Sequence, residues 1–213
     1  MSQIEKYNSL DNTQQKIRIS IMDMIIDKGS SVTLQEVTEY ISKKLNIEKE
    51  YIERTLQYFI DKNIMVVDGN SINFIYPVSA LPTNHKVTLR DNRSFSAMCA
   101  IDAIGTSCTF NQDIKINSIC SATGKEIEVI IKNEKIEYVN NPNLRVLHIN
   151  LDKHLNWAAS CWNIMNFFWT KSDFDAWTNE AGLSDDEDIY CLDINEAIVE
   201  SYKIFKLKQK VLS

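Results

Sequence analysis

Apolar residues recur at helical spacing through the first sixty positions and give way to short strand-like runs near residue 65. From Asn12 to Lys28, Ile17, Ile21, Met24 and Ile25 follow the i, i+4, i+7, i+8 rule of an amphipathic helix, and Gly29-Ser30-Ser31 ends it. Thr33-Leu34-Gln35-Glu36 is a capping box: the hydroxyl takes one orphan backbone N–H and the carboxylate reaches back to another. It opens a second helix marked by Leu34, Val37, Ile41 and Leu45. Ile52, Leu56, Phe59 and Ile60 mark a third. Met65-Val66-Val67 and Ile72-Asn73-Phe74-Ile75 flank Asp68-Gly69-Asn70, the pattern of a hairpin closed by an Asp-Gly turn. Residues 1–11 read as a polar lead-in.

The pattern changes after the hairpin. Pro77 to Arg93 reads as a connector, with Pro82, Thr83 and Asn84 as turn material. A helix is expected from Phe95 to about Ile104, and strands over Ile114–Ile119, Glu126–Ile131 and Val146–Leu151. Ala122-Thr123-Gly124-Lys125 turns between the first two. A helix from Ser172 to Ala181 is closed by Gly182, and Ile189–Leu192 is a further strand. Asp193-Ile194-Asn195-Glu196 caps a last helix with Ile194, Ile198, Tyr202 and Phe205 on one face. The expected fold is α+β. Residues 1–80 form a three-helix, winged-helix-like domain, and residues 81–213 a mixed or antiparallel sheet domain with flanking helices.

Charge narrows the functions open to such a chain. The net charge is −6, and nucleic-acid or anionic-membrane binding needs clustered Lys and Arg. A winged helix would meet DNA through its third helix. Here Lys49, Arg54 and Lys62 stand against Glu48, Glu50, Glu53 and Asp61, a poor face for phosphates. Neither a nucleic-acid nor a membrane partner is expected. No stretch approaches the ~18 apolar residues of a membrane span, and the polar start Met1-Ser2-Gln3-Ile4-Glu5-Lys6 lacks a signal-peptide h-region. The expected location is the cytoplasm, where thiols stay reduced.

Five cysteines occur, Cys99, Cys108, Cys120, Cys161 and Cys191, with no Cys-x-x-Cys pair, so a structural zinc ribbon is not indicated. His85, His148 and His154 form no ligand spacing. Cys99-Ala100-Ile101-Asp102 is the informative run. On a helix, residues three apart are neighbours, so a soft nucleophile and a proton carrier share a face. Phe95, Met98, Ala100 and Ile101 are apolar, and burial among them would raise the pKa of Asp102. A thiolate selects soft metals, whereas a carboxylate serves as an acid or base. A buried core cysteine beside a solvated aspartate fits the same local pattern. Cys161, in the aromatic stretch Trp157 to Trp169, is equally a core thiol or a second ligand in an apolar pocket.

Three segments together resemble the alkylmercury (organomercurial) lyase family. Cys99-Ala100-Ile101-Asp102 is similar to its Cys-Ala-Leu-Asp motif, Cys120-Ser121-Ala122-Thr123-Gly124 to its Cys-x-x-Thr-Gly turn, and Cys161-Trp162-Asn163-Ile164 to its second catalytic cysteine segment. The resemblance covers roughly residues 85–205. It implies cleavage of a carbon–mercury bond by protonolysis. Cys99 and Cys161 would capture the mercury of the substrate and keep the product Hg(II), and Asp102 would carry the proton and make a weak further contact with the metal. It implies no organic cofactor, an organomercurial substrate, small-molecule thiols as co-reactants, and a mercuric reductase as an acceptor of Hg(II). Cys120 matches a buried, structural family cysteine. Cys108 and Cys191 match nothing and read as core filling. Met98 and Ser160 stand where family members often carry Trp and an aromatic residue, which bears on the organic pocket. Phe95, Trp162, Phe167 and Trp169 are candidates to line it. A non-catalytic thiol protein that binds mercury or copper, and a regulator that senses a thiophilic metal, are the competing readings. Asp102 discriminates against the first and the acidic third helix against the second.

Overall fold

The computed structural model describes residues 6–153 and 164–207. Three helices open it: α1 (Asn12–Lys28), α2 (Leu34–Leu45) and α3 (Lys49–Asp61). Their starts follow the local signals. Asp11 and Gln14 close a capping box on α1, Thr33 and Glu36 close the expected one on α2, and Gly29, at φ 69°, lets the chain leave α1. Ile17, Ile21 and Ile25 are buried as the spacing requires, and so is Arg18. The polar lead-in does not survive as such: Lys6, Tyr7 and Leu10 are buried, because the apolar bodies of Tyr7 and Leu10 join the core and Lys6 lies over the rings of Tyr7 and Tyr76.

Nine strands form one antiparallel sheet: β1 (Val32–Thr33), β2 (Met65–Asp68), β3 (Ser71–Ile75), β4 (Val78–Ser79), β5 (His85–Leu89), β6 (Ser94–Ala97), β7 (Ile114–Ile119), β8 (Glu126–Lys132) and β9 (Lys135–Val139). Their order is β1-β3-β4-β6-β5-β7-β8-β9, with β2 beside β3. The hairpin β2–β3 is where the Asp-Gly turn put it. The sheet continues from β3 through β4 to β6, so main-chain pairing crosses residue 80. A second antiparallel sheet runs β11 (Phe167–Phe168), β10 (Arg145–Ile149), β12 (Ile189–Asp193). The remaining helices are α4 (Ala100–Phe110), α5 (Lys171–Glu180) and α6 (Ile194–Phe205). Among the described residues, no helix is long and apolar enough to cross a membrane.

Two further expectations are corrected. The stretch from Pro77 to Arg93 is not a plain connector, since it contains β4 and β5; Val87 and Leu89 are buried while Lys86 is exposed, an alternation masked by the neighbouring prolines. The helix expected from Phe95 begins only at Ala100. Ser94–Ala97 is β6, paired on both sides by β4 and β5, with Phe95 and Ala97 turned inward. Helix α4 lies close against α6. A Cβ on Gly105 would stand 2.2 Å from Phe205 Cδ2 and 2.8 Å from Ser201 Oγ, and Ser201 Oγ donates to the Ile101 carbonyl at 2.7 Å. These contacts fix the first turns of α4, which carry the candidate chemistry.

Candidate active site

Cys99 is the N-cap of α4, in extended backbone at φ −147°, and Asp102 is the third helical residue. The pair forms a thiol version of a capping arrangement. Asp102 N–H donates to Cys99 Sγ at 3.4 Å, and Cys99 Sγ–H donates to Asp102 Oδ2 at 2.9 Å. The two side chains meet because one sits at the cap and the other in the first turn, not because both lie along a helix face. Neither reaches solvent: Cys99 is 0% and Asp102 4% exposed.

Burial sets the electrostatics. It pushes the Asp102 carboxyl from an ordinary 3.8 up to about 7, against the downward pull of the Cys99 hydrogen bond and of the positive charges on Lys6 and Arg18. Burial, reinforced by the Asp102 charge and hydrogen bond, holds the Cys99 thiol well above its usual range. Near neutral pH the thiol proton therefore stays on sulfur, beside a carboxyl poised between its charged and neutral forms. A ligand that binds the thiolate and displaces that proton finds its acceptor 2.9 Å away.

Sequence reasoning missed the neighbours of this pair. Arg18 is fully buried in α1. It donates to the Tyr76 carbonyl at 2.6 Å and to Gln15 Oε1 at 3.3 Å, and its guanidinium lies 4.4 Å from the Tyr7 ring centre. Arg18 Nε and the Tyr7 hydroxyl have no hydrogen-bond partner among the described residues. Burial lowers the Arg18 pKa only to about 10, so the cation persists at neutral pH. Apolar periodicity scores a lone arginine as solvated, so α1 gave no sign of it.

Cys161, Ser160 and Trp162 lie outside the described residues. The segment that follows them is tied down at several points. The Met165 carbonyl accepts from Ala100 N–H at 2.9 Å, the Asn166 carbonyl from Leu147 N–H at 3.0 Å, and the Phe167 carbonyl from Ser121 N–H at 3.1 Å. Trp169 N–H donates to the buried Cys120 Sγ at 3.3 Å. The first of these contacts lands on the residue next to Cys99. The other resemblance segment, the 120–125 turn, thus packs on the same stretch. Cys108 and Cys191 are half-buried, and Cys108 Sγ–H donates to the Gly105 carbonyl. Of the candidate pocket aromatics, Phe95 stacks near Phe110, Phe167 near His85, and Trp169 under Lys125.

A family model described as alkylmercury lyase matches residues 78–206. This chain belongs to the alkylmercury lyase family. Among curated relatives, the alkylmercury lyase of Staphylococcus epidermidis is 20% identical over 156 residues, covering 73% of this chain and 68% of that protein. The crystal structure of the mercury-bound form of MerB2 shares the fold, with a TM-score of 0.73 at 20% identity over 93% of this chain and 92% of the other. The likeness extends through the N-terminal helices, beyond the region of the family model. Family membership makes the chain an enzyme that acts on organomercurials by cleaving the carbon–mercury bond.

Proposed function

We propose that this lyase breaks the carbon–mercury bond with Cys99 and Cys161 as thiolates and Asp102 as proton carrier. The observation that carries the reading is the buried Cys99 Sγ to Asp102 Oδ2 contact of 2.9 Å. A soft cation prefers thiolates to the carboxylate, so R–Hg⁺, delivered as a small-thiol adduct, transfers to Cys99. The Cys99 proton goes to Asp102, 2.9 Å away, and the delivering group leaves as a thiolate. Cys161 binds next as a second thiolate, and its proton goes to that small thiolate. Two thiolates raise the electron density on the metal and make the bound carbon more basic. Asp102, now a neutral acid in a dry site, gives its proton to that carbon. The electron pair of the C–Hg bond becomes the new C–H bond. R–H leaves, Hg(II) stays on two sulfurs, and Asp102 returns to the carboxylate with a weak contact to the metal. Holding acid and carbon together makes a slow protonolysis effectively unimolecular. The step balances without an organic cofactor.

The described geometry supports a role for Cys161. Met165 accepts a hydrogen bond from Ala100, and Cys161 stands four positions before it. Four steps of extended chain span at most roughly 14 Å, which bounds the distance of the second thiol from the Met165 anchor. We place the reaction in the cytoplasm, with Hg(II) passing to small thiols or a mercuric reductase. Residues 1–80 serve as a winged-helix-like unit and 81–213 as the catalytic unit.

The test is incubation with phenylmercuric acetate and excess small thiol, with benzene measured by gas chromatography. Release is expected from the native chain and is lost in Cys99→Ala. Tight Hg(II) binding with no benzene would instead make the chain a thiol-based soft-metal binder.

A further inference from the structure

His85 is buried at 2% exposure, close to the candidate site but outside its chemistry. It opens β5, where its backbone pairs with Ala97, two residues before Cys99. Its side chain spans two other elements. Nδ1 lies 2.9 Å from Ser118 Oγ on β7, and Nε2 lies 3.2 Å from Asn166 Oδ1. The ring also meets Phe167 edge-on, with centres 5.7 Å apart. An amide oxygen only accepts, so Nε2 carries the proton and Nδ1 accepts from the Ser118 hydroxyl. The ring is neutral, since burial lowers its pKa to about 4.

This places one rigid ring between the strand end that delivers Cys99 and the segment that leads out of Cys161. Asn166 follows Met165, the residue that hydrogen-bonds to Ala100. The backbone contact sets how near the segment comes, while the His85 side chain fixes its sideways position. Nothing in the carbon–mercury chemistry needs a histidine, yet this one is aligned by a hydroxyl on one side and an amide on the other.

We propose that His85 is a positioning residue that holds the 164–168 segment against the Cys99 cap, so that the second thiol meets mercury already bound to the first. The proposal rests on the two-thiolate reading of the site. Partners of metal-binding groups at this remove contribute roughly 10- to 100-fold to affinity or rate. Capture of the substrate by Cys99 alone should persist without the clamp, and completion of the two-thiolate state should fail. The loss therefore belongs in kcat more than in KM.

The full-length chain is assayed for benzene release from phenylmercuric acetate and for two-thiolate Hg(II) binding by near-ultraviolet charge-transfer absorption. His85→Ala is expected to lower kcat by about 10- to 100-fold with KM little changed and the charge-transfer band weakened. His85→Gln, whose amide N–H can still reach Asn166 Oδ1, should recover much of the rate. Asn166→Ala, at a half-exposed position, should reproduce the loss and decides the matter if His85→Ala does not fold. Native kcat in a folded His85→Ala or Asn166→Ala, or equal losses in His85→Ala and His85→Gln, would overturn the proposal. If the native chain releases no benzene, the lyase mechanism fails. The clamp is then judged on the Hg(II) band alone: weaker in both alanine variants supports it, and unchanged overturns it.

Discussion

Cys99 Sγ and Asp102 Oδ2 lie 2.9 Å apart, and the same sulfur accepts the Asp102 backbone N–H at 3.4 Å. One cap thus supplies a thiol and its proton acceptor, both out of water. Burial dominates the energetics of both groups, and every prediction about the pair follows from it.

The first prediction concerns pH. In the free enzyme Asp102 must be a carboxylate to accept a thiol proton, and its pKa is about 7. Below that value the carboxyl is already protonated. The account expects kcat/KM for phenylmercuric acetate to rise with pH through about 7 and to fall about tenfold per unit on the acid side. A flat profile from pH 5 to 9 would contradict it. In Asp102→Asn the inflection should vanish with most of the rate.

The same carboxylate is costly to bury. Its folded pKa lies above its ordinary 3.8, so the folded state holds the proton more tightly, and stability falls as pH rises from about 4 through about 7. That interval corresponds to at most about 4 kcal/mol. Asp102→Asn should therefore melt at a higher temperature than the native chain at pH 8, with the difference shrinking towards pH 4. Equal melting curves at pH 8 would show that the charge carries no such penalty.

Buried histidines act in the opposite sense. Burial holds His85 and His148 at about 4, below an ordinary 6.5. The unfolded chain binds more protons in that window, so stability is lost as pH falls from 6.5 towards 4. Urea midpoints at pH 7, 6 and 5 should decline. The decline should be shallower in His85→Gln, even though that variant sits lower at pH 7.

The contact between α4 and α6 predicts a packing lesion. A Cβ at Gly105 would stand 2.2 Å from the Phe205 ring, which is buried and cannot swing away. Gly105→Ala should lower unfolding stability by about 1–3 kcal/mol and should also slow turnover, since α4 presents Cys99 and Asp102. Calorimetry checks the first effect. A stability gain, as for an ordinary helical Gly→Ala change, would refute the close contact.

Much of this was legible in the sequence, and the exceptions have physical reasons. The capping boxes at Thr33 and Asp193, the Asp-Gly hairpin and the 120–125 turn are local hydrogen-bond chemistry, and the structure carries each of them. Strands β5 and β6 escaped because Pro77 and Pro82 stand before them and the Ser-Phe-Ser-Ala run adjoins a true helix. That adjacency also made Cys99 look helical when it is the cap. Arg18 and Tyr7 escaped because their burial depends on α1, Tyr76 and α6 meeting in space, which no single-segment pattern records. Spacing alone left Cys99 and Asp102 open between a site and a core cysteine beside a solvated aspartate, and the family resemblance singled them out, whereas the role of His85 required the pairing of β5 with β6 and the return of the chain at Asn166.

The central claim is that two thiols converge on one metal, and mercury X-ray absorption of the chain loaded with one equivalent of Hg(II), free of small thiols, tests it most directly. The account predicts two sulfur neighbours in the native chain, with one lost in Cys99→Ser and one lost in Cys161→Ser. Two sulfurs retained in Cys161→Ser would contradict it.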